Sequence, residues 1–208
     1  MIDVLILSKT HMKGGKCCVG GITNKGRYVR LLTLQGENQP ENTELAPRQI
    51  YRLTFKEHYD STPPHVEDVL TQEKVFKGNL GPKTRIIDFI TERQIPVWEG
   101  GPETLFDGSL KWTSNGSGYI NKENVPAHSV GFWVSDKRLS KNISTYGKTR
   151  YNYRSTNGWH SLPYVGFDEA IEFIPAGTLL RVSLTRWWDQ EGTSELRCSL
   201  QLSGWYDL

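Results

Sequence analysis

The chain has 208 residues, enough for one large β domain or two small ones. Twenty glycines, ten prolines, 11% aromatic residues and a mean hydropathy of −0.52 describe a soluble, turn-rich β protein and exclude a disordered chain. A net charge of +2 excludes a uniformly basic polymer binder, an odd count of three cysteines argues against a disulfide scaffold, and no apolar run reaches membrane-spanning length.

The opening "MIDVLILSK" is apolar, carries Asp3 and lacks a basic leader or a small-residue cleavage site, so it is expected to be a first strand of a cytoplasmic protein. Next come "KCCVGGIT" and "RYVRLLT", separated by "NKG", whose Asn and Gly suit the positive φ of a hairpin turn. Strand alternation puts Tyr28 and Arg30 on one face and Arg27 on the other. A polar stretch leads to a strand beginning at Ile50 or Tyr51 in "IYRLTFKEHY", and "HVEDVLTQEKVFKG" adds one more. Helical spacing occurs clearly once, in "GPKTRIIDFITERQ", where Pro82 suits the first turn and Ile86, Ile87, Phe89 and Ile90 form a stripe. Residues 101–128, rich in Gly, Ser, Asn and Pro, read as a linker between units at 1–100 and 129–208. Five strand-like segments follow: "SVGFWVSD", "TRYNYRS", "NGWHSLPYVG", "GTLLRVSLTRWWD" and "ELRCSLQLSGWY". "FDEAIEF" has the pattern of a helical turn, and the aromatic "SGWYDL" is expected to close the fold. The fold class is mainly β, either two small Greek-key barrels with one short helix and long loops or a single β-sandwich.

Charge is unevenly placed. Lys9, Lys13, Lys16, Lys25, Arg27 and Arg30 stand against Asp3 alone in residues 1–34, and residues 137–154 hold six Lys or Arg, three tyrosines and no acid. Residues 37–73 hold eight acids against Arg48, Arg52 and Lys56. The "KGGKC" stretch is not a P-loop, since Thr10 and Cys17 occupy the positions that need Gly and Ser or Thr; Gly14 and Gly15 read as a loop feeding a strand. Cys17 and Cys18 point to opposite faces of that strand, one into the core, and no local His pairing activates either. With no CxxC, and with His58 and His65 seven residues apart, neither a metal nor another cofactor is expected. In an extended segment His65 and Glu67 would share a face while Asp68 faces away, an arrangement open to acid–base or ligand chemistry. "TYGKTRYNYR" offers Lys148, Arg150 and Arg154 for phosphates and Tyr146, Tyr151 and Tyr153 for stacking, although alternation puts Tyr151 and Tyr153 opposite Arg150 and Arg154. Inward packing of those tyrosines weighs about evenly against nucleic-acid binding.

The N-terminal run containing Gly15, Cys17, Gly21, Gly26, Arg27, Val29 and Arg30, with the C-terminal Arg186, Trp187, Gln201, Ser203, Gly204, Trp205 and Tyr206, resembles the dual OB-containing domain family of prokaryotes. The resemblance spans nearly the whole chain. It implies two OB-like barrels and a link to nucleic-acid transactions and defence against foreign DNA, with no catalytic set to transfer.

The leading expectation is a non-catalytic module for single-stranded or distorted DNA or RNA, using Lys13, Lys16, Arg27, Tyr28, Arg30, Lys148, Arg150, Tyr151, Tyr153 and Arg154. An enzyme or small-ligand sensor using His65 and Glu67, with its site between the barrels, is the alternative. A third reading is a protein-interaction adaptor in a defence complex. No membrane partner is expected.

Overall fold

The computed structural model describes residues 1–156, 158–190 and 195–206, which divide into two compact units, Met1–Ile95 and Pro96–Leu208.

The first unit is a closed five-stranded barrel. Its strands are β1 (Ile2–His11), β2 (Lys16–Thr23), β3 (Tyr28–Leu32), β5 (Gln49–Glu57) and β6 (Asp68–Asn79), with a two-residue β4 (Gln39–Pro40) beside β2. Around the ring the order is β1, β2, β3, β6, β5, and β1 closes it by pairing with β5. All the ring contacts are antiparallel except β3 with β6, which sets Arg30 beside Asp68. This is the Greek-key order of an OB barrel. Gly26 holds φ at 84° in the expected "NKG" turn, where a β-carbon would be strained, so strands β2 and β3 are joined tightly.

Alternation fills the interior: Val4, Ile6, Cys17, Val19, Val29, Leu31, Leu53 and Val69 form one buried cluster with Leu45 and Tyr51. Each such aliphatic side chain contributes about 1.5–3 kcal/mol by leaving water. The helix α1 (Ile86–Glu92) contains the whole apolar stripe but is shorter than the segment "GPKTRIIDFITERQ". Residues 81–84 instead form a turn, closed by the Thr84 N–H donating to the Gly81 carbonyl at 2.9 Å, so Pro82 precedes the helix. Ile86 and Ile90, four residues apart, are its buried positions.

The second unit carries two sheets on one core. The longer runs β7 (Val97–Gly100), β10 (Val130–Ser135), β15 (Leu179–Leu184), β17 (Leu196–Tyr206), β9 (Gly118–Ile120), β8 (Lys111–Trp112), with β16 (Trp188–Asp189) also on β17. The four-stranded sheet runs β13 (Gly158–Pro163), β12 (Thr149–Ser155), β11 (Leu139–Ile143), β14 (Phe173–Ile174). This half-barrel architecture agrees with a second OB-like unit rather than one continuous sandwich. Trp133, Tyr151, Tyr153, Leu162, Ile174, Val182, Cys198 and Leu202, drawn from both sheets, share a single buried cluster. The expected linker at 101–128 is structured: Pro102–Gly108 is a helical turn broken by a kink at Leu105–Asp107, where Leu105 and Phe106 enter that core, and β8 and β9 follow. The expected helical turn in "FDEAIEF" is absent; those residues lead into β14. Of the "SGWYDL" ending, β17 contains residues through Tyr206, and Asp207 and Leu208 lie outside the described residues. Trp187, just before β16, packs against the core while Trp188 is exposed. No helix among the described residues is long and apolar enough to cross a membrane.

Candidate functional site

Register decides which side chains of the four-stranded sheet share a face. Strand β12 pairs Tyr151 with Leu162 and Tyr153 with His160 on one side, and Arg150 with Pro163, Asn152 with Ser161 and Arg154 with Trp159 on the other. The first set faces the core. Tyr151 is fully buried, its hydroxyl donating to the Ile171 carbonyl at 2.7 Å, and the Tyr153 hydroxyl donates to Asp136 at 2.9 Å. Burial pushes the Tyr151 phenol up to about 12 and raises that of Tyr153 as well. Neither ring is open to a base in this arrangement, because the pattern that exposes the arginines of β12 turns these tyrosines inward.

The other set forms an open face. Strand β11 adds Ser140 and Asn142, which lie opposite Asn152 and Arg150, and Phe173 of β14 lies opposite Ser140. Two aromatic rings stand in solvent here: Trp159 is 55% exposed and Phe173 is 52% exposed. Each carries a guanidinium over its plane, Arg154 at 5.6 Å from the Trp159 centroid and Arg138 at 4.9 Å from that of Phe173. Arg150 is fixed at the far end of the same face, beyond Asn152, which shares a row with Ser140 and Phe173. Its Nε donates to the Ser161 hydroxyl at 2.8 Å, and its Nη2 donates to the Ser161 carbonyl and the Ser117 hydroxyl, each at 2.8 Å. Burial pushes its pKa down from the usual value, yet a guanidinium remains a cation at neutral pH. The outward residues of these strands include no carboxylate; Glu172, the nearest acid in sequence to Phe173, is paired with Lys141 at 2.8 Å. Beyond the sheet, the β11–β12 turn presents Lys148 and Tyr146, the latter 88% exposed.

A buttress holds this face. Gly116, in the turn between β8 and β9, accepts from the Ser161 N–H at 2.8 Å and lies so close to β13 that a β-carbon would sit 2.0 Å from the Trp159 carbonyl oxygen. Its φ of 76° disfavours a side chain as well. The turn thereby brings Ser117 to Arg150.

The candidates of the first unit are dispersed and mostly engaged. Lys13 is exposed in the β1–β2 turn, while Lys16 donates to Glu37 at 2.8 Å. Arg27 makes a bidentate contact with Glu57 at 2.7 and 2.6 Å, and Tyr28 is half-buried opposite Ile22. Arg30 is only 8% exposed; its Nη1 lies 3.2 Å from the Asp68 carboxylate and its Nη2 3.4 Å from His65 Nδ1. Residues 63–67 are turns rather than an extended strand, with the His65 N–H donating to the Thr62 carbonyl. Face alternation therefore does not apply to His65 and Glu67. The turns bring all three to Arg30: His65 and Asp68 approach its guanidinium, the charge of Glu67 acts on it as well, and the Glu67 carbonyl accepts the Arg30 N–H at 2.7 Å.

All three cysteines are unbridged. Cys17 and Cys198 are buried thiols whose pKa values burial raises, that of Cys198 to about 12, which disqualifies both as nucleophiles near neutrality. Among the described residues no group of three His, Cys, Asp or Glu could hold a metal ion.

The sequence model of the dual OB-containing domain matches residues 2–205. The chain belongs to the dual OB-containing domain family. It matches no curated protein. Among solved structures this dual OB-containing chain is similar to a murine DNA-binding protein bound with double-stranded DNA, at 8% identity and a TM-score of 0.31, over 99% of this chain and 96% of that one. It is also similar to the HINb domain of p204, at 14% identity and a TM-score of 0.33, over 96% and 90% of the two chains. Within the dual OB-containing chain, sequence reasoning missed Trp159, Phe173 and Arg138. The signal that could have found Trp159 was a hairpin register: counting from the Ser155–Gly158 pair sets it opposite Arg154.

Proposed function

We propose that this protein binds nucleic acid without catalysis, through the open face of the sheet β13-β12-β11-β14. The observation that carries this reading is the composition of that face: two solvent-exposed rings, each beside an arginine, with a third arginine fixed further along the same face and no carboxylate. Exposed rings offer stacking surfaces to unpaired bases, while Arg138, Arg150, Arg154 and Lys148 suit the phosphates that connect them. Single-stranded or distorted DNA or RNA is the polymer class that presents both features together. From the first unit, exposed Lys13 joins this reading as a phosphate contact, whereas Lys16, Arg27 and Arg30 are held by acids and Tyr28 is half-buried. The proposal extends to the setting the family resemblance implies, a prokaryotic defence complex with a protein partner.

Fluorescence anisotropy with labelled single-stranded and double-stranded DNA and RNA, each at two salt concentrations, tests the reading. Salt-sensitive binding that prefers single strands is expected. Absence of binding to every oligonucleotide would sink it.

A further inference from the structure

Strand β6 is longer than its place in the ring requires. Its first residues, Asp68 to Leu70, pair with β3, and Val69 to Asn79 run along β5 with register shifts at Gln72 and Lys77. From Thr71 onward the side away from β5 has no strand partner among the described residues. Residues 72–77 are all exposed, Val75 and Phe76 by half their surface. Such an edge presents a row of backbone donors and acceptors to any strand that can lie along it.

The side chains on this edge favour one occupant. A two-fold axis perpendicular to a sheet sets a strand antiparallel to its own copy and keeps each face on its own side, so the pairing is centred on a residue that meets itself. Centred on Val75, Glu73 of each copy lies opposite Lys77 of the other, Lys74 opposite Phe76, and Val75 opposite Val75. Centred one residue earlier, lysine meets lysine; centred on Glu73, glutamate meets glutamate; centred on Phe76, Lys77 meets Val75 and no charge pair forms. Only the Val75 register joins opposite charges, and it does so twice.

The fold keeps these groups on one face. Val75 lies opposite Arg52, and Arg52 opposite Asp3. Lys77 is the extra residue where the ladder shifts between Ile50 and Tyr51, and its charge helps Arg52 hold the Asp3 carboxyl low, an influence that accords with an ammonium on the Val75 side. Glu73 lies two residues before Val75 in the unbroken stretch of the ladder and shares that side. An edge built only to repel other strands would carry like charges at this spacing.

We infer that the β6 edge pairs with a second copy of this chain, antiparallel about Val75, with Glu73 and Lys77 forming the two reciprocal ion pairs. Sedimentation equilibrium of the full chain over a concentration series tests this. The wild-type protein should populate dimers, and Glu73→Lys or Lys77→Glu alone should weaken the dimer roughly tenfold or more by setting like charges opposite each other. Both residues are exposed, so the melting temperatures should hardly move. Mixing the two single variants restores both ion pairs in the mixed dimer, which should form as tightly as the wild-type one. A protein that stays monomeric throughout, a Glu73→Lys variant that dimerises like wild type, or a mixture no tighter than its components would each overturn the inference.

Discussion

Replacing Trp159 by Ala removes an exposed ring while leaving the core intact, which makes it the sharpest test of the open face. The ring is 55% exposed and contacts a guanidinium at 5.6 Å. Losing one stacking surface costs about 1–3 kcal/mol, equivalent to a roughly 5- to 140-fold rise in Kd for a single-stranded oligonucleotide. The Arg154 contact adds about 0.5–1 kcal/mol of local order at an exposed site, so fold stability should change by no more than about 1 kcal/mol. Tyr151→Ala is the matched contrast. That ring is fully buried and hydrogen-bonded, so truncation should cost about 3–5 kcal/mol of stability while each molecule that remains folded still binds. Anisotropy titrations paired with thermal melts separate the two outcomes. Wild-type affinity in Trp159→Ala, or a selective loss of affinity in Tyr151→Ala, would refute the assignment of the open face.

Two further outcomes follow from geometry and burial. Gly116→Ala should destabilise the second unit by about 1–3 kcal/mol and weaken oligonucleotide binding, because the added carbon drives the turn away from β13 and takes Ser117 from Arg150. Thermal melts and the same titrations read both effects; unchanged behaviour would remove the turn as a buttress. Alkali should unfold the protein as well. The Cys198 thiol rises from an ordinary 9.0 to about 12 in the fold, and Tyr151 from 10.0 to about 12. A folded pKa above the unfolded one gives stability that is complete below the unfolded value and lost as pH rises past it. The melting temperature should therefore decline from about pH 9 toward pH 12, and Cys198→Ala should make the decline shallower, leaving the smaller share that buried Cys17 contributes from about pH 9.

The mainly β class and the first hairpin were legible in local chemistry: alternation in "RYVRLLT" and the Gly26 turn dictate that piece whatever surrounds it. The linker was not. Short strands such as β8 and β9 have no periodicity of their own and exist because β17 offers them an edge. In the functional face, Arg150 and Arg154 could be named from charge alone, but the ring beside Arg154 belongs to the next strand, and only register reveals it. His65 illustrates what a local pattern cannot reach. An extended reading sets it beside Glu67, whereas turns before β6 hold both near Arg30, thirty-five residues from His65 in the chain.

Closure of the first barrel has a kinetic meaning. The strand that completes the ring, β1, is bonded along its length to β2 and at its start to β5, so Ile2 to Leu5 sit opposite residues about fifty positions distant. Contacts so far apart in sequence form late, after the chain has met the entropy of a long loop. In the reverse direction, the amides of Val4 and Leu5, flanked by partners on both sides, can meet solvent only when the ring itself parts. The barrel thus behaves as a hoop: separation of its two most distant segments is the event that sets the lifetime of the whole.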